Sequence, residues 1–99
     1  MIINKPINLK RITMPKKIII NVELALFGNQ SNTINVTEEV QNALKGDDIT
    51  ISANRLGIED PAPGETKHFA IKANITIDDN EPYPFYYIGK DYETLDFIP

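Results

Sequence analysis

His68-Phe69-Ala70-Ile71-Lys72-Ala73-Asn74-Ile75-Thr76-Ile77 is the stretch whose reading decides the fold. Phe69, Ile71, Ala73, Ile75 and Ile77 take every second position, while His68, Lys72, Asn74 and Thr76 fall between them. Side chains of a strand alternate between faces with a period of two, so this segment reads as a strand with one dry face and one wet face. A half-buried antiparallel strand produces that pattern.

Downstream, Asp78-Asp79-Asn80 supplies turn chemistry for a hairpin into Pro84–Ile88, and a last strand is expected from about Glu93 to Ile98. Upstream, residues 54–65 read as a loop containing Asn54, Gly57, Asp60, Pro61, Pro63 and Gly64. Asp48 to Ala53 alternates, with Ile49, Ile51 and Ala53 expected inward.

Thr37 opens the one helix signal. Its hydroxyl is expected to cap the first turn, and Glu38 and Glu39 suit the positive end of the helix dipole. Val40, Ala43 and Leu44 form an apolar stripe before Lys45 and Gly46. Between Ile18 and Phe27, the residues Ile18, Ile20, Val22, Leu24 and Leu26 are expected on the core face. Ile19, Asn21, Glu23, Ala25 and Phe27 are expected on a mixed, half-exposed face, before Gly28-Asn29-Gln30-Ser31-Asn32 ends the strand.

No alternation of strand and helix appears, which argues against a doubly wound parallel sheet. The expected fold is mainly β: a compact antiparallel β-sandwich or partly open barrel of five to six strands with one short helix. A chain of 99 residues fits one domain, assigned to residues 16–99.

Charge marks off a segment before that domain. Residues 1–17 hold Lys5, Lys10, Arg11, Lys16 and Lys17 and no acid, leaving five bases against all 14 acids afterwards, a net of −9. Residues 1–15 therefore read as a basic arm that packs as an added edge strand through Ile7, Leu9 and Ile12. The packing is onto the arm's own body or a neighbouring chain, and the second case makes a homodimer. Met14 before Pro15 reads as an alternative start. So acidic a body repels phosphates, which argues against nucleic acid as a partner. No apolar run reaches the roughly 20 residues of a membrane-spanning helix.

Cysteine is absent, which removes thiolate catalysis and sulfur-ligated metals. A chain without cysteine is expected in the cytoplasm. The Asn-x-Ser/Thr acceptors at Asn29, Asn35 and Asn74 matter only if it is secreted, and that compartment stays open.

The order of motifs resembles the small β-rich C-terminal domain of the DnaJ-like co-chaperone subfamily C member eleven and its stand-alone bacterial and fungal relatives. Ala25-Leu26-Phe27-Gly28 answers the family's Ala-x-Tyr-Gly strand end, with Phe for Tyr. Asn35-Val36-Thr37 answers Asp-Val-Thr, with Asn for Asp. Gly57-Ile58-Glu59-Asp60-Pro61-Ala62-Pro63-Gly64 answers Gly-Phe-x-Asp-Pro-x-x-Gly. The likeness covers roughly residues 17–99 and lacks a J-domain signature, so it implies a β-rich accessory domain without Hsp70 stimulation.

The chemistry-bearing residues are few. His68 is the single histidine and sits on a strand near Lys67 and Lys72, with no serine in a sharp glycine turn beside it. Gly64-Glu65-Thr66-Lys67 lacks the spacing of a phosphate loop. The pairs Asp47/Asp48, Glu59/Asp60 and Asp78/Asp79 lie at turns, where acids serve local hydrogen bonding, though a carboxylate-based hydrolase would need such a pair. Neither a cofactor nor a metal is implied, and no enzyme is expected.

The aromatic residues carry more. Six of eight lie between positions 83 and 97: Tyr83, Phe85, Tyr86, Tyr87, Tyr92 and Phe97. Alternation cannot bury Tyr86 and Tyr87 together, so a ring reaches the surface. Tyrosine suits a protein or sugar contact there.

The functional expectation is a non-catalytic interaction module, binding protein or itself through a sheet edge or the tyrosine-rich hairpin. The alternative is a domain for a small ligand, carbohydrate or nucleotide, held at the Asp60–Lys67 loop. Candidate contacts are Asp60, Glu65, Lys67, Tyr83, Tyr86, Tyr87 and Tyr92.

Overall fold

Why the long strands pair as they do follows from the computed structural model, which describes residues 17–98. The elements run β1 (Ile18–Gly28), β2 (Thr33–Asn35), α1 (Thr37–Ala43), β3 (Asp48–Thr50), α2 (Ala53–Leu56), β4 (His68–Ile77), β5 (Tyr83–Lys90) and β6 (Thr94–Asp96). The arm assigned to residues 1–15, with its edge strand and second start, lies outside the described residues.

Four strands form one antiparallel sheet in the order β2-β1-β4-β5, while β3 and β6 pair antiparallel in a second, small sheet. The fold is mainly β and antiparallel, as expected, and the large sheet does not close on itself into a barrel. One core joins the two sheets. Val22, Ala25, Phe27, Phe69, Ile71, Ala73 and Ile75 line the sheet's inner face. Val36, Val40, Ile49, Ile51, Leu56, Leu95 and Phe97 cover it from the helices and the small sheet.

Strand β4 matches its sequence pattern: Phe69, Ile71, Ala73 and Ile75 are buried, and Ile77 is partly so. Strand β1 corrects the expectation. Its register against β4 runs regularly to Val22 opposite Ala73, then resumes with Leu24 opposite Lys72, so Glu23 is an extra residue in a β-bulge. One inserted residue moves every later side chain to the other face. Ala25 and Phe27, expected half-exposed, are fully buried, and Leu24, expected inward, is 43% exposed. The Glu23 carboxylate bonds Asn74 and pairs with Lys72 at 3.2 Å.

Gly28 ends β1 at φ 147, where a side chain would run into the Asn32 carbonyl. Strand β2, three residues long and exposed throughout, was not expected; so short a segment leaves no alternation to read.

Helix α1 begins at Thr37 as expected, but the threonine does not cap it. Its Oγ1 accepts a bond from the Ala25 N–H at 2.9 Å and lies 2.7 Å from Asn35 Oδ1, to which it donates. The next turn works the same way. Gln41 Oε1 accepts from the Val22 N–H at 2.7 Å, and Gln41 Nε2 donates to the Ile20 carbonyl at 2.9 Å. Two side chains of α1 thus stand in for a neighbouring strand along β1, beyond the reach of β2.

The single-helix expectation also changes. Ala53, taken as an inward strand residue, opens α2, where Ser52 Oγ accepts from the Arg55 N–H at 3.1 Å and Gly57 closes the turn at φ 71. Strand β3 stops at Thr50, while Ile49 and Ile51 are buried as expected. Strand β6 is shorter than the expected run and buries Leu95, with Phe97 just beyond it.

Candidate functional site

Two regions hold the residues singled out from the sequence. The first is β5, an edge strand of the large sheet. Alternation places Phe85 and Tyr87 inward: the Phe85 ring lies 4.9 Å from that of Phe97, and Tyr87 stacks on Phe69 at 5.7 Å. Tyr86 and Ile88 point to the outer face, 67% and 77% exposed.

Across the sheet, Leu26, Ala70 and Ile88 form one row, and Leu24, Lys72 and Tyr86 the next. The bulge at Glu23 is what puts Leu24 and Leu26 in these rows. They border a shallow hollow of about 180 Å³. A second, of about 340 Å³, adjoins it through Leu26, Ala70 and Ile88 and reaches Asn29 and His68. Glu23 holds the pKa of Lys72 above its ordinary value, first by hydrogen bonding and then by charge.

The backbone edge of β5 has its own pattern. In an antiparallel pair, successive residues turn their N–H and C=O groups alternately toward and away from the neighbour. The Asp91 N–H donates to the Lys67 carbonyl at 3.0 Å, which fixes the phase: odd-numbered residues of β5 face β4 and even-numbered ones face outward. Pro84 has no N–H to offer. The Lys90 N–H donates to Glu93 Oε1 at 3.1 Å, and the Lys90 carbonyl accepts from the Glu93 N–H at 3.2 Å. Tyr86 and Ile88 remain between them, and no strand among the described residues pairs with that edge.

The second region is the corner from Gly57 to Lys67. Lys67 is 4% exposed, and its ammonium bonds the carbonyls of Ala62 at 3.0 Å and Glu65 at 2.7 Å. It also meets the carboxylates of Asp60 at 3.2 Å and Asp91 at 3.6 Å. An ammonium has three protons to donate, and these partners take all of them. Burial is the largest single influence on Lys67 and pulls its pKa down. The hydrogen bond and charge of Asp60, then those of Asp91, together outweigh it and leave the pKa raised.

Asp60 Oδ1 also accepts from the Ala62 N–H at 2.9 Å, and Glu65 Oε1 accepts from Asn29 Nδ2 at 2.7 Å. Lys67 is thus the pin of the loop. Tyr92 stands at the rim, 73% exposed and at φ 71, an unusual backbone conformation for a bulky residue. A polar hollow of about 320 Å³ opens between Tyr92, Asp60, Glu65 and Asp91.

Asp60, Glu65, Lys67 and Tyr92 therefore come together at the corner, and Tyr86 belongs to the outer face. Tyr83 begins β5 opposite Ile75, and Tyr87 is turned inward. Compared with family models, curated proteins and solved structures, the chain matches none of them. Its site is read from its own geometry. Leu24, Leu26, Ala70 and Ile88 were missed as surface residues. The alternation that exposes Tyr86 also exposes Ile88 and was available in the sequence; the bulge that exposes Leu24 was not.

Proposed function

We propose that this domain is a non-catalytic interaction module that takes a protein segment along the outer edge of β5. The observation that carries this reading is a coincidence at two residues. Tyr86 and Ile88 hold both the open backbone groups of the edge and the most exposed apolar side chains of the outer face. Strand addition draws affinity from such main-chain groups and selectivity from the side chains that alternate along them. The resemblance to an accessory β-rich domain supports the same reading.

A second reading has its own observation. The strained, exposed Tyr92 overlooks a hollow bordered by Asp60, Glu65 and Asp91. Strained backbone gathers at ligand sites. The acids would repel a nucleotide's phosphates, while sugar hydroxyls suit carboxylates and a tyrosine face, so the ligand of this reading is a carbohydrate.

A photo-reactive residue placed at Ile88 should cross-link the domain to protein, and the same residue at the exposed Asn54 of α2 should not. A sugar that raises the melting temperature, with the rise lost in Tyr92→Ala, would overturn the first reading in favour of the second.

A further inference from the structure

We infer that the segment taken by β5 is β5 of a second copy of this chain, joined antiparallel about a two-fold axis through Tyr87. The inference rests on the interaction-module reading and names its partner.

Among the described residues the edge is open at two positions, and its ends differ. Pro84 lacks a donor at one end, and Lys90 has both groups engaged by Glu93 at the other. With the axis at Tyr87, Tyr86 lies opposite Ile88 of the second copy and Ile88 opposite its Tyr86. Each then exchanges both backbone groups across the seam. Pro84 falls opposite Lys90, whose carbonyl already has the donor that proline cannot give. Moving the axis to Tyr86 would set Pro84 against Ile88 and leave the Ile88 carbonyl without a donor. The hydrogen bonding therefore selects one register.

Side chains and charge fit that register. A two-fold axis normal to the sheet keeps outer faces together, so Tyr86 of each copy meets Ile88 of the other. Their apolar rows then run on across the seam, joining two four-stranded sheets. The only charged residue of β5 is Lys90. Strand reversal brings it to the end of the second β5 that follows the acidic turn Asp78-Asp79-Asn80-Glu81. Lys90, with Glu93 beside it, thus approaches that acidic turn at both ends of the seam.

Sedimentation of the full chain from about 1 μM to about 1 mM should show a species of twice 11.2 kDa. Tyr86→Pro removes one outward N–H from each copy, at an edge position where proline is tolerated. It should weaken the dimer at least roughly tenfold, because two symmetric hydrogen bonds vanish at once. Ile88→Lys should do the same, with circular dichroism unchanged.

The register has a separate test, since the chain contains no cysteine of its own. Residues at position 87 of the two copies would face each other as a non-hydrogen-bonded pair about 4.5 Å apart at Cα, within disulfide reach. Tyr87→Cys should form a disulfide-linked dimer on oxidation, and Phe85→Cys should not. Should loss of the Tyr87 ring unfold the protein, mixing the surface variants Tyr86→Cys and Ile88→Cys should yield the crossed disulfide preferentially.

A monomer at every concentration, or equal cross-linking through positions 85 and 87, overturns the self-pairing. A monomer that still photo-cross-links another protein from position 88 overturns it while the interaction reading stands. A monomer that cross-links nothing overturns both.

Discussion

Lys67 carries its charge where water scarcely reaches, and four neighbours make that tolerable. Its pKa is raised in the folded chain, so folding takes up the proton more tightly than the unfolded chain does. The sign follows directly: the stabilisation is complete below the ordinary lysine value of 10.5 and is lost as pH rises through the higher folded value. Lys67→Met should therefore lower the melting temperature by a constant amount at neutral and mildly alkaline pH. The gap from the wild type should narrow only above that value. A gap constant throughout the alkaline range would mean that the methylene stem, and not the charge, pins the loop. Asp60→Ala leaves the Ala62 N–H without its acceptor and takes one carboxylate from the buried Lys67, so it should cost at least the roughly 1–2 kcal/mol of an unpaired backbone donor in chemical denaturation. If that variant unfolds like the wild type but loses a carbohydrate ligand, the corner is a binding site.

At the level of elements, β1 shows what a sequence hides. Ile18, Ile20, Val22, Leu24 and Leu26 alternate without a break, and nothing in the residue types marks Glu23 as supernumerary. The strand was legible, but the face of its second half was not, because a bulge is set by the register of the partner strand. Strand β4 has no such insertion relative to β5 and read correctly to its ends. Helix α2 and strand β2 escaped notice for another reason: at four and three residues they are too short for either period to show. Of the candidate site, the exposed tyrosine was legible from alternation, while the Lys67 pin needed Asp91, brought from far along the chain.

The bulge makes a contrasting pair of deletions. Removing Glu23 restores a regular ladder with Ala25 and Phe27 still inward, so the protein should fold, short of one ion pair and one hydrogen bond. Removing Leu26 turns Phe27 outward and should cost about 3–5 kcal/mol, as a lost core phenylalanine does. Equal melting of the two would show that Glu23 does not set the phase. Gln41→Ala should cost about 1–3 kcal/mol in chemical denaturation, since it strands the Val22 N–H and the Ile20 carbonyl together. Unchanged stability would mean that water replaces the amide.

The molecule as a whole presents a sheet with unequal sides. Among the described residues, β4 has a strand on either flank, β1 is flanked by β2 and by two side chains of α1, and β2 and β5 are the outer strands. In the Ile88→Lys variant, amides 69–75 should exchange slowest. Val22 and Ala25 should be protected by Gln41 and Thr37, while the amides at positions 86 and 88 exchange fast. Fast exchange at Val22 would show that the side-chain seal opens readily. Along the first half of β1, one side chain does the work of a strand: any strand that came to pair there would first have to displace the Gln41 amide from the Val22 N–H and the Ile20 carbonyl.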